Sequence, residues 1–252
     1  MTLPNYTSAP ALPDENRYII CMKWGTKYGA EYVNRLYNMV NRHLTLPFQM
    51  VCLTDDSTGI DANVKCYPIP ELNLPSNIPE RGWKKLTTFS PELYDLKGTA
   101  LFLDIDIVIV DNIDCFFTYQ AQHDDSVVII RDWKKPWRMV GNSSVYRFKV
   151  GQHTYPNLLS NFEQNFDKIR SQVRHEQAYL SNYLREHHHL EYWDASWCVS
   201  FKYQCVQPFP LSFVKPPILP KGAKMVIFHG EVNPPDAIIG KSGKWYRKVL
   251  PT

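Results

Sequence analysis

The chain has 252 residues, of which 44% are hydrophobic and 13% aromatic, and its formal net charge is +3. These values are ordinary for a globular protein and exclude a disordered or fibrous chain. The positive excess is small and dispersed, so no nucleic-acid partner is expected, and no stretch reaches the roughly 18 uninterrupted apolar residues of a membrane span.

The first 16 residues are rich in proline and have almost no periodicity, which predicts a flexible arm. They lack the cationic start and apolar centre of a secretory signal peptide, so a cytoplasmic location is expected. The six cysteines form no CxxC pair, and free thiols are their expected state.

Strands and helices are predicted to alternate over residues 17–235, which we expect to form one domain, and a surface tail is predicted over 236–252. A strand at 17–24 ends at Gly25, and Leu36 and Val40 then recur at helical spacing. Further strands are predicted at 48–53, 99–110, 126–131, 144–148 and 224–228, helices at 83–89, 158–169 and 176–185, and a proline-rich loop at 68–79. This alternation predicts an α/β layered sandwich with a largely parallel central sheet.

The most apolar passage, TALFLDIDIVIV at 99–110, contains two aspartates, Asp104 and Asp106. On an extended strand, residues two apart point to the same face, so the two carboxylates would share one apolar neighbourhood. Such a pair is tolerable at a sheet edge, with a shared proton or with a neutralising cation, because burying an unpaired carboxylate costs several kcal/mol. Aspartate oxygens favour Mg²⁺ or Mn²⁺, and such ions indicate a phosphorylated ligand.

Two alternatives stay open at this point. The strand could end at Leu103, which would leave Asp104 and Asp106 as exposed turn residues, although the aliphatic run resumes for four residues after Asp106. His229 follows the late apolar strand and precedes Gly230, where a histidine is either structural or a functional group at a strand end.

Seven motifs follow one another between about residues 18 and 235: CMKWGTKYGAEYVNRLY, VCLTDD, GWKKLTTF, LFLDIDIVIVDNIDCFF, GNSSVYRF, HEQAYL and IFHG. Each motif alone is weakly specific, and the ordered set carries the information. Together they resemble the glycosyltransferases of the GT-A (Rossmann-like) fold, in particular the retaining, glycogenin-like and bacterial lipopolysaccharide transferases. The resemblance implies a hexosyltransferase that moves a sugar from a nucleotide-diphosphate donor, above all a UDP-sugar, to a glycan or lipid-linked sugar, with retention of configuration.

The resemblance also implies roles for individual residues. Manganese or magnesium would be bound against the donor diphosphate by Asp104, Asp106 and His229. The donor-binding residues would be Trp24, Lys27 and Tyr28 near the base, with the Tyr28 ring stacked on it, Lys85 on phosphate or on Asp104, Asn142 and Ser143 near the sugar, and Gly230. The catalytic residues would be Glu176 and Gln177, which match an acidic-Gln pair near the anomeric carbon.

One segment departs from the family pattern. Such enzymes commonly continue HG-x-x-Lys-Pro-Trp, with the lysine on the pyrophosphate, whereas this chain has Asn233 at the lysine position. Asn233 carries no positive charge, so either Lys241 or Lys244 replaces the lysine or donor binding is weakened.

Two other functions fit parts of the pattern. A haloacid-dehalogenase-type phosphohydrolase also has a hydrophobic strand at a DxD motif, but usually in its first strand, and here at least two predicted strands precede it. A non-catalytic nucleotide- or glycan-binding module derived from a transferase would explain the missing lysine. If the chain is a transferase, an inverting base such as Asp125 or Asp132 also stays open. Four tryptophans are candidates for a sugar-stacking platform: Trp133, Trp137, Trp193 and Trp197.

Overall fold

The computed structural model describes residues 16–75, 82–150, 155, 157–213, 215–230 and 232–239. The predicted flexible arm, apart from residue 16, and the predicted tail beyond residue 239 lie outside this set, and so do Lys241 and Lys244. Among the described residues, no helix combines the length and the apolar character that crossing a bilayer requires.

Strands and helices alternate along the described chain. The strands are β1 (Arg17–Lys23), β2 (Gln49–Thr54), β3 (Lys65–Tyr67), β4 (Gly98–Leu103), β5 (Val108–Ile109), β6 (Val127–Arg131), β7 (Gly141–Val150), β8 (Leu190–Tyr192), β9 (Cys198–Ser200) and β10 (Met225–Ile227). The helices are α1 (Ala30–His43), α2 (Cys115–Thr118), α3 (Leu158–Gln164), α4 (Phe166–Gln172), α5 (Glu176–Glu186) and α6 (Pro234–Ile239). Short 3₁₀ segments lie at Trp83–Phe89, Pro136–Arg138 and Leu211–Phe213, and a π-helical turn lies at Phe201–Cys205.

The main sheet has the strand order β3-β2-β1-β4-β7-β6-β8. Within the described part of this sheet, β7 runs antiparallel to its neighbours β4 and β6, and the remaining pairs are parallel. A smaller sheet has the order β5-β10-β9. The predicted α/β sandwich with a largely parallel central sheet is therefore confirmed.

Apolar side chains cover both faces of β4, as expected for a strand in the middle of such a sheet. Ala100 and Phe102 face one core cluster, together with the 3₁₀ segment Trp83–Phe89 and helix α5. Leu101 and Leu103 face the opposite cluster, together with α1. Because successive strand residues alternate between faces, the residue type at each position decides which layer packs there.

Helix α1 forms where the sequence predicts it. Its buried residues Val33, Leu36 and Val40 lie one turn or two turns apart and make a single apolar stripe. Glu31 in the first turn and Arg42 in the last turn complement the helix dipole. This stripe packs on the cluster that contains Leu101 and Leu103.

The single strand predicted at 99–110 is wrong. β4 ends at Leu103, the chain turns at residues 104–106, and the aliphatic run resumes as β5, which pairs with β10 in the second sheet. The run is apolar throughout because both of its halves are buried, but they are buried in two different sheets. The aspartates therefore lie at the passage between the two sheets.

One further predicted element differs from the structure. The helix predicted at 158–169 is divided into α3 and α4 at Asn165, whose backbone leaves the helical conformation (φ −115°, ψ 22°). The boundary predicted between 235 and 236 falls inside α6, and Ala237 of that helix is buried. Two prolines begin α6, where their missing N–H groups cost no hydrogen bond.

We expect Phe102→Ala to lower the free energy of unfolding by about 3–5 kcal/mol, since it leaves a cavity in the core. Phe102 is fully buried, and its ring stacks on Tyr146 with a centroid distance of 4.8 Å. Urea denaturation measures the change, and Trp137→Ala is the control because Trp137 is 73% exposed. Equal midpoints for the two variants would contradict this account of the core.

Candidate active site

Asp104 and Asp106 lie in the turn that follows β4, and both are half-buried. The backbone N–H of Asp104 donates to the Ser144 carbonyl on β7 at 2.9 Å, which anchors the turn to the neighbouring strand at the carboxyl end of β4. The pair is thus neither part of a continuous strand nor exposed, so the structure combines features of both alternatives. The turn therefore holds two half-buried carboxylates that interact electrostatically.

The ammonium group of Lys85 neutralises Asp104. Lys85 Nζ lies 2.6 Å from Asp104 Oδ1 and 2.9 Å from Oδ2, and the two side chains are only 14% and 21% exposed. The pairing arises because the 3₁₀ segment packs on the Phe102 face of the sheet, so that Lys85 extends over the Phe102 ring toward Asp104. Burial lowers the pKa of Lys85, but Asp104 and then Glu176 outweigh it, so the pKa is raised and the group stays charged.

Tyr28 and Asn233 surround the second aspartate. The Tyr28 hydroxyl lies 3.0 Å from Asp106 Oδ2 and 3.1 Å from Asn233 Oδ1, and its single proton is shared between them. Burial and the charge of Asp104 raise the pKa of Asp106, although the hydrogen bond from Tyr28 and the charge of Lys85 oppose the shift. Asn233, at the position of the family lysine, is thus connected to Asp106 through the Tyr28 hydroxyl.

The buried carboxylate of Glu176, at the start of α5, is the third acidic group of this site. Ser143 on β7 donates to its Oε1 at 2.7 Å. Gly82 has φ +84°, and a Cβ atom there would come within 3.0 Å of Glu176 Oε2, so a side chain would crowd the carboxylate. Asn142 accepts from the Ser144 N–H at 3.0 Å, and Gln177 is half-buried next to Glu176.

The loop after β1 holds the residues that the resemblance assigns to the base. Gly25 adopts φ +64° and donates its N–H to Asp55 Oδ2 at 2.8 Å. Trp24 is half-buried against the core, and the Lys27 ammonium lies 4.6 Å from the centre of the Tyr28 ring. The Tyr28 side chain thus connects this loop to Asp106.

The described contacts of His229 are with residues other than those around Asp104 and Asp106. Its Nε2 lies 2.7 Å from Ser200 Oγ, and its ring stacks on Trp133 (5.6 Å, 18°) and contacts Tyr203 at 5.1 Å. Burial, and then the charge of Lys202, lowers the pKa of His229, which favours the neutral ring. Gly230 follows with φ +90° and is exposed.

Contacts and charge interactions connect six of the predicted site residues, Tyr28, Lys85, Asp104, Asp106, Ser143 and Glu176. Within the described part of the chain, no three His, Cys, Asp or Glu side chains converge as a metal-binding group. Asp104 and Asp106 offer the oxygen ligands that Mg²⁺ and Mn²⁺ prefer. The hydrogen bond between His229 Nε2 and Ser200 Oγ allows either atom to be the donor, and a proton on Nε2 would leave the Nδ1 lone pair for a cation.

Sequence reasoning did not assign roles to Gly82 and Ser200. Gly82 belongs to the GWKKLTTF motif, and its need for a positive φ is a signal that the sequence contained. Ser200 carries no such signal, because it meets His229 only through the pairing of Ser200 on β9 with Ile227 on β10.

No protein-family model matches the chain, and no curated protein matches it in sequence. Solved structures do match. The galactosyltransferase LgtC, in complex with donor and acceptor sugar analogs, gives a TM-score of 0.61 at 13% identity, covering 91% of this chain and 91% of that chain. The apo-form glycosyltransferase GlyE of Streptococcus pneumoniae TIGR4 gives 0.61 at 11% identity, covering 87% of this chain and 56% of that chain.

A third structure, the bifunctional glycosyltransferase WbbM, gives a TM-score of 0.56 at 13% identity and covers 90% of this chain and 48% of that chain. This chain therefore spans about half the length of the GlyE and WbbM chains. The likenesses show the fold: the chain has the GT-A fold, and its structural neighbours are glycosyltransferases. The fold expected from the ordered motifs is confirmed.

We expect the Lys85–Asp104 pair to show strong coupling in a double-mutant cycle of Lys85→Met and Asp104→Asn. Lys85→Met alone leaves a half-buried carboxylate without its cation, whereas Lys85→Met combined with Asp104→Asn does not, so the coupling should reach about 1–3 kcal/mol of unfolding free energy. Urea denaturation measures it. The exposed Lys65–Asp95 pair, at 2.9 Å, is the matched control and should couple less; additive effects at positions 85 and 104 would contradict the assignment.

Proposed function

We propose that the chain is a metal-dependent glycosyltransferase that transfers a hexose from a nucleotide diphosphate, first of all a UDP-sugar, to a hydroxyl group of a glycan or lipid-linked sugar. One observation carries the proposal. In a GT-A fold, Asp104 and Asp106 form a half-buried acidic pair, Lys85 forms an ion pair with Asp104, and a buried Glu176 adds a third carboxylate. The LgtC structure, a neighbour of this fold, contains donor and acceptor sugar analogs.

The charges of the site favour a divalent cation. The ammonium of Lys85 interacts electrostatically with three carboxylates, those of Asp104, Asp106 and Glu176. Around Lys85, negative groups therefore outnumber the positive one. We assign Asp104 and Asp106, with His229 as a further ligand, to a magnesium or manganese ion. When bound, such an ion supplies Lewis-acid stabilisation of the departing diphosphate.

Different residues of the chain stabilise the different charges that develop during the transfer. The bond between the anomeric carbon and the phosphate oxygen breaks, and its electron pair leaves with the nucleoside diphosphate. When the donor diphosphate binds, it competes with Asp104 for the ammonium of Lys85. The ammonium then offsets the negative charge that grows on the departing diphosphate. The Glu176 carboxylate, held by Ser143, and the neighbouring Gln177 amide oxygen stabilise the positive charge that develops on the sugar.

The acceptor hydroxyl forms the new bond to the anomeric carbon, and its proton passes to a phosphate oxygen of the departing nucleoside diphosphate. Retention, which the family resemblance implies, requires that the new bond form on the face from which the diphosphate departs. Either two successive displacements through Glu176 or Gln177, or attack on that same face, gives this outcome.

Although the lysine of the family pattern is missing, the described site contains other cationic side chains. Lys27 lies over the ring of Tyr28, and the Tyr28 hydroxyl contacts Asn233 and Asp106. We therefore assign donor phosphate binding to Lys27 and Lys85 together. A haloacid-dehalogenase-type phosphohydrolase is not favoured, because β1, β2 and β3 precede the motif in a sheet of the GT-A type.

We expect the protein to turn over at least one UDP-hexose in the presence of Mn²⁺ and to lose this activity when EDTA is added. In Asp106→Asn, we expect the activity to fall about 100-fold or more. The substitution removes one anionic ligand and leaves the size of the side chain unchanged. Nucleoside diphosphate release measures turnover, and Asp167→Asn, at an exposed position of α4, is the control.

A panel of UDP-, GDP- and ADP-hexoses, tested in the same assay and by thermal shift, separates the transferase from a binding module. Stabilisation by a donor raises the melting temperature whether or not the donor is consumed. A donor that stabilises the protein while no donor is consumed would support the non-catalytic alternative.

We expect Glu176→Gln to lower kcat about 100-fold while the KM for the donor changes little, since the positive charge on the sugar develops only in the transition state. The glutamine oxygen can still accept from Ser143, so the variant tests the charge and not the packing. Glu92→Gln, at an exposed position, is the control. The anomeric configuration of the product, determined by NMR, tests retention, and an unchanged kcat would remove Glu176 from the mechanism.

A further inference from the structure

Exposed apolar side chains are concentrated in two segments of the chain, 132–139 and 201–221. Of the seven large apolar residues that are exposed in the described part of the molecule, six belong to these segments: Trp137, Met139, Tyr203, Phe209, Leu211 and Ile218. Trp137 is 73%, Phe209 81% and Ile218 56% exposed. Isolated exposed apolar residues are common, but such a concentration is typical of a surface that binds a partner.

The fold brings the two segments together. The rings of Trp133 and Tyr203 both contact the ring of His229, with centroid distances of 5.6 Å and 5.1 Å. The second segment also turns back on itself, because the Ile218 N–H donates to the Cys205 carbonyl at 2.9 Å. This hydrogen bond holds Ile218 beside the π-helical turn that contains Tyr203. The two segments therefore form one region of the molecular surface.

Basic side chains accompany the apolar ones in both segments. The segments contain six basic residues, Lys134, Lys135, Arg138, Lys202, Lys215 and Lys221, and one acidic residue, Asp132. With the neighbouring Asp194 included, the region has an excess of four positive charges, which is more than the +3 of the whole chain. Charges that are dispersed along the sequence are thus gathered on one surface by the fold.

These cations are available to a partner. Within the described residues, none of the six forms an ion pair with a carboxylate, in contrast to Lys65, Lys85 and Lys224. Lys135 is half-buried, and the other five are exposed. The surface therefore combines apolar side chains with unneutralised positive charge, which is the combination that binds the headgroup region of an anionic membrane.

Other partners fit this surface less well. Met139, Leu211 and Ile218 are aliphatic and cannot stack on bases, whereas surfaces that bind single-stranded nucleic acid depend on stacking. Tryptophan and tyrosine, in contrast, are enriched at the boundary between lipid headgroups and acyl chains. Residues 240–252 of this chain contain four basic residues and no acidic one, so their charge does not complement the surface. A second copy docked by the same face would repel it.

We infer that segments 132–139 and 201–221 form a peripheral membrane-binding surface for anionic phospholipids. Trp137, Phe209 and Ile218 enter the boundary between headgroups and acyl chains, and the basic side chains bind the lipid phosphates. The inference is independent of the proposed transferase activity, because this binding needs no donor, no metal ion and no turnover.

Co-sedimentation of the full chain with sucrose-loaded vesicles tests the inference. The vesicles contain either phosphatidylcholine alone or equal amounts of phosphatidylcholine and phosphatidylglycerol, and EDTA excludes bridging by metal ions. We expect binding to the anionic vesicles to exceed binding to the neutral ones about 10-fold or more, since each basic side chain near an anionic surface adds to the attraction. Added salt should weaken this binding because it screens the charges.

Variants test the apolar and the cationic contributions separately. Trp137→Ala should weaken binding to the anionic vesicles about 10-fold, because an exposed indole no longer enters the lipid boundary. Lys134→Glu combined with Arg138→Glu should weaken it at least as much, about 10-fold or more, through reversed charge. Lys215→Glu combined with Lys221→Glu tests the second segment and covers the case in which the first charge variant does not fold.

Matched controls change exposed residues outside the two segments. Tyr94→Ala is the control for the apolar variant, and Lys168→Glu combined with Arg174→Glu is the control for the charge variants. Both should bind the anionic vesicles as the unaltered protein does.

Three results would overturn the inference: no sedimentation of the unaltered protein with the anionic vesicles, equal binding by the segment variants and the controls, or tighter binding to oligothymidylate than to the vesicles at equal phosphate concentration. The last result would assign the surface to single-stranded nucleic acid. Turnover of UDP-hexoses is measured in parallel. Vesicle binding without donor turnover would refute the transferase alone, and donor turnover without vesicle binding would refute the membrane-binding surface alone.

Discussion

The contact between the ammonium of Lys85 and the carboxylate of Asp104 is the interaction on which the rest of the site depends. Two aspartates in one short turn, with a buried Glu176 close by, would repel one another if no cation were present. Lys85 lowers that cost and still leaves more negative than positive groups. The arrangement is therefore stable enough to fold and also electrostatically suited to a divalent ion, which would take over part of the role of the ammonium.

The passage from one sheet to another explains how these polar groups can be half-buried. Core clusters cover both faces of β4, so polar side chains within that strand would have no access to a ligand. At Leu103 the chain leaves the main sheet, and at Val108 it enters the second one. The turn between them lies at the carboxyl end of β4, and the carboxyl ends of the strands are where ligands bind in open α/β folds.

The residues that meet around Lys85 stand in motifs that follow a fixed order along a chain of alternating strands and helices, and this order singled them out in the sequence. Sequence reasoning placed the two aspartates within a single strand, because a continuous aliphatic run does not reveal that its halves are buried in different sheets. It grouped His229 with them by family likeness, whereas the local contacts of His229 are Ser200, Trp133 and Tyr203. The metal, the donor and the catalytic roles remain proposals.

The sequence by itself determined the α/β class, the apolar stripe of α1, most strands and the identity of the acidic pair, since these depend on local periodicity and on the cost of burying charge. Only the tertiary structure decided which groups meet. The contacts of Lys85 with Asp104, of Tyr28 with Asp106 and Asn233, and of Ser143 with Glu176 join segments 19 to 205 residues apart. Strand order and the packing of the layers determine which of these residues meet. Both act between distant segments of the chain and cannot be read from the local sequence pattern.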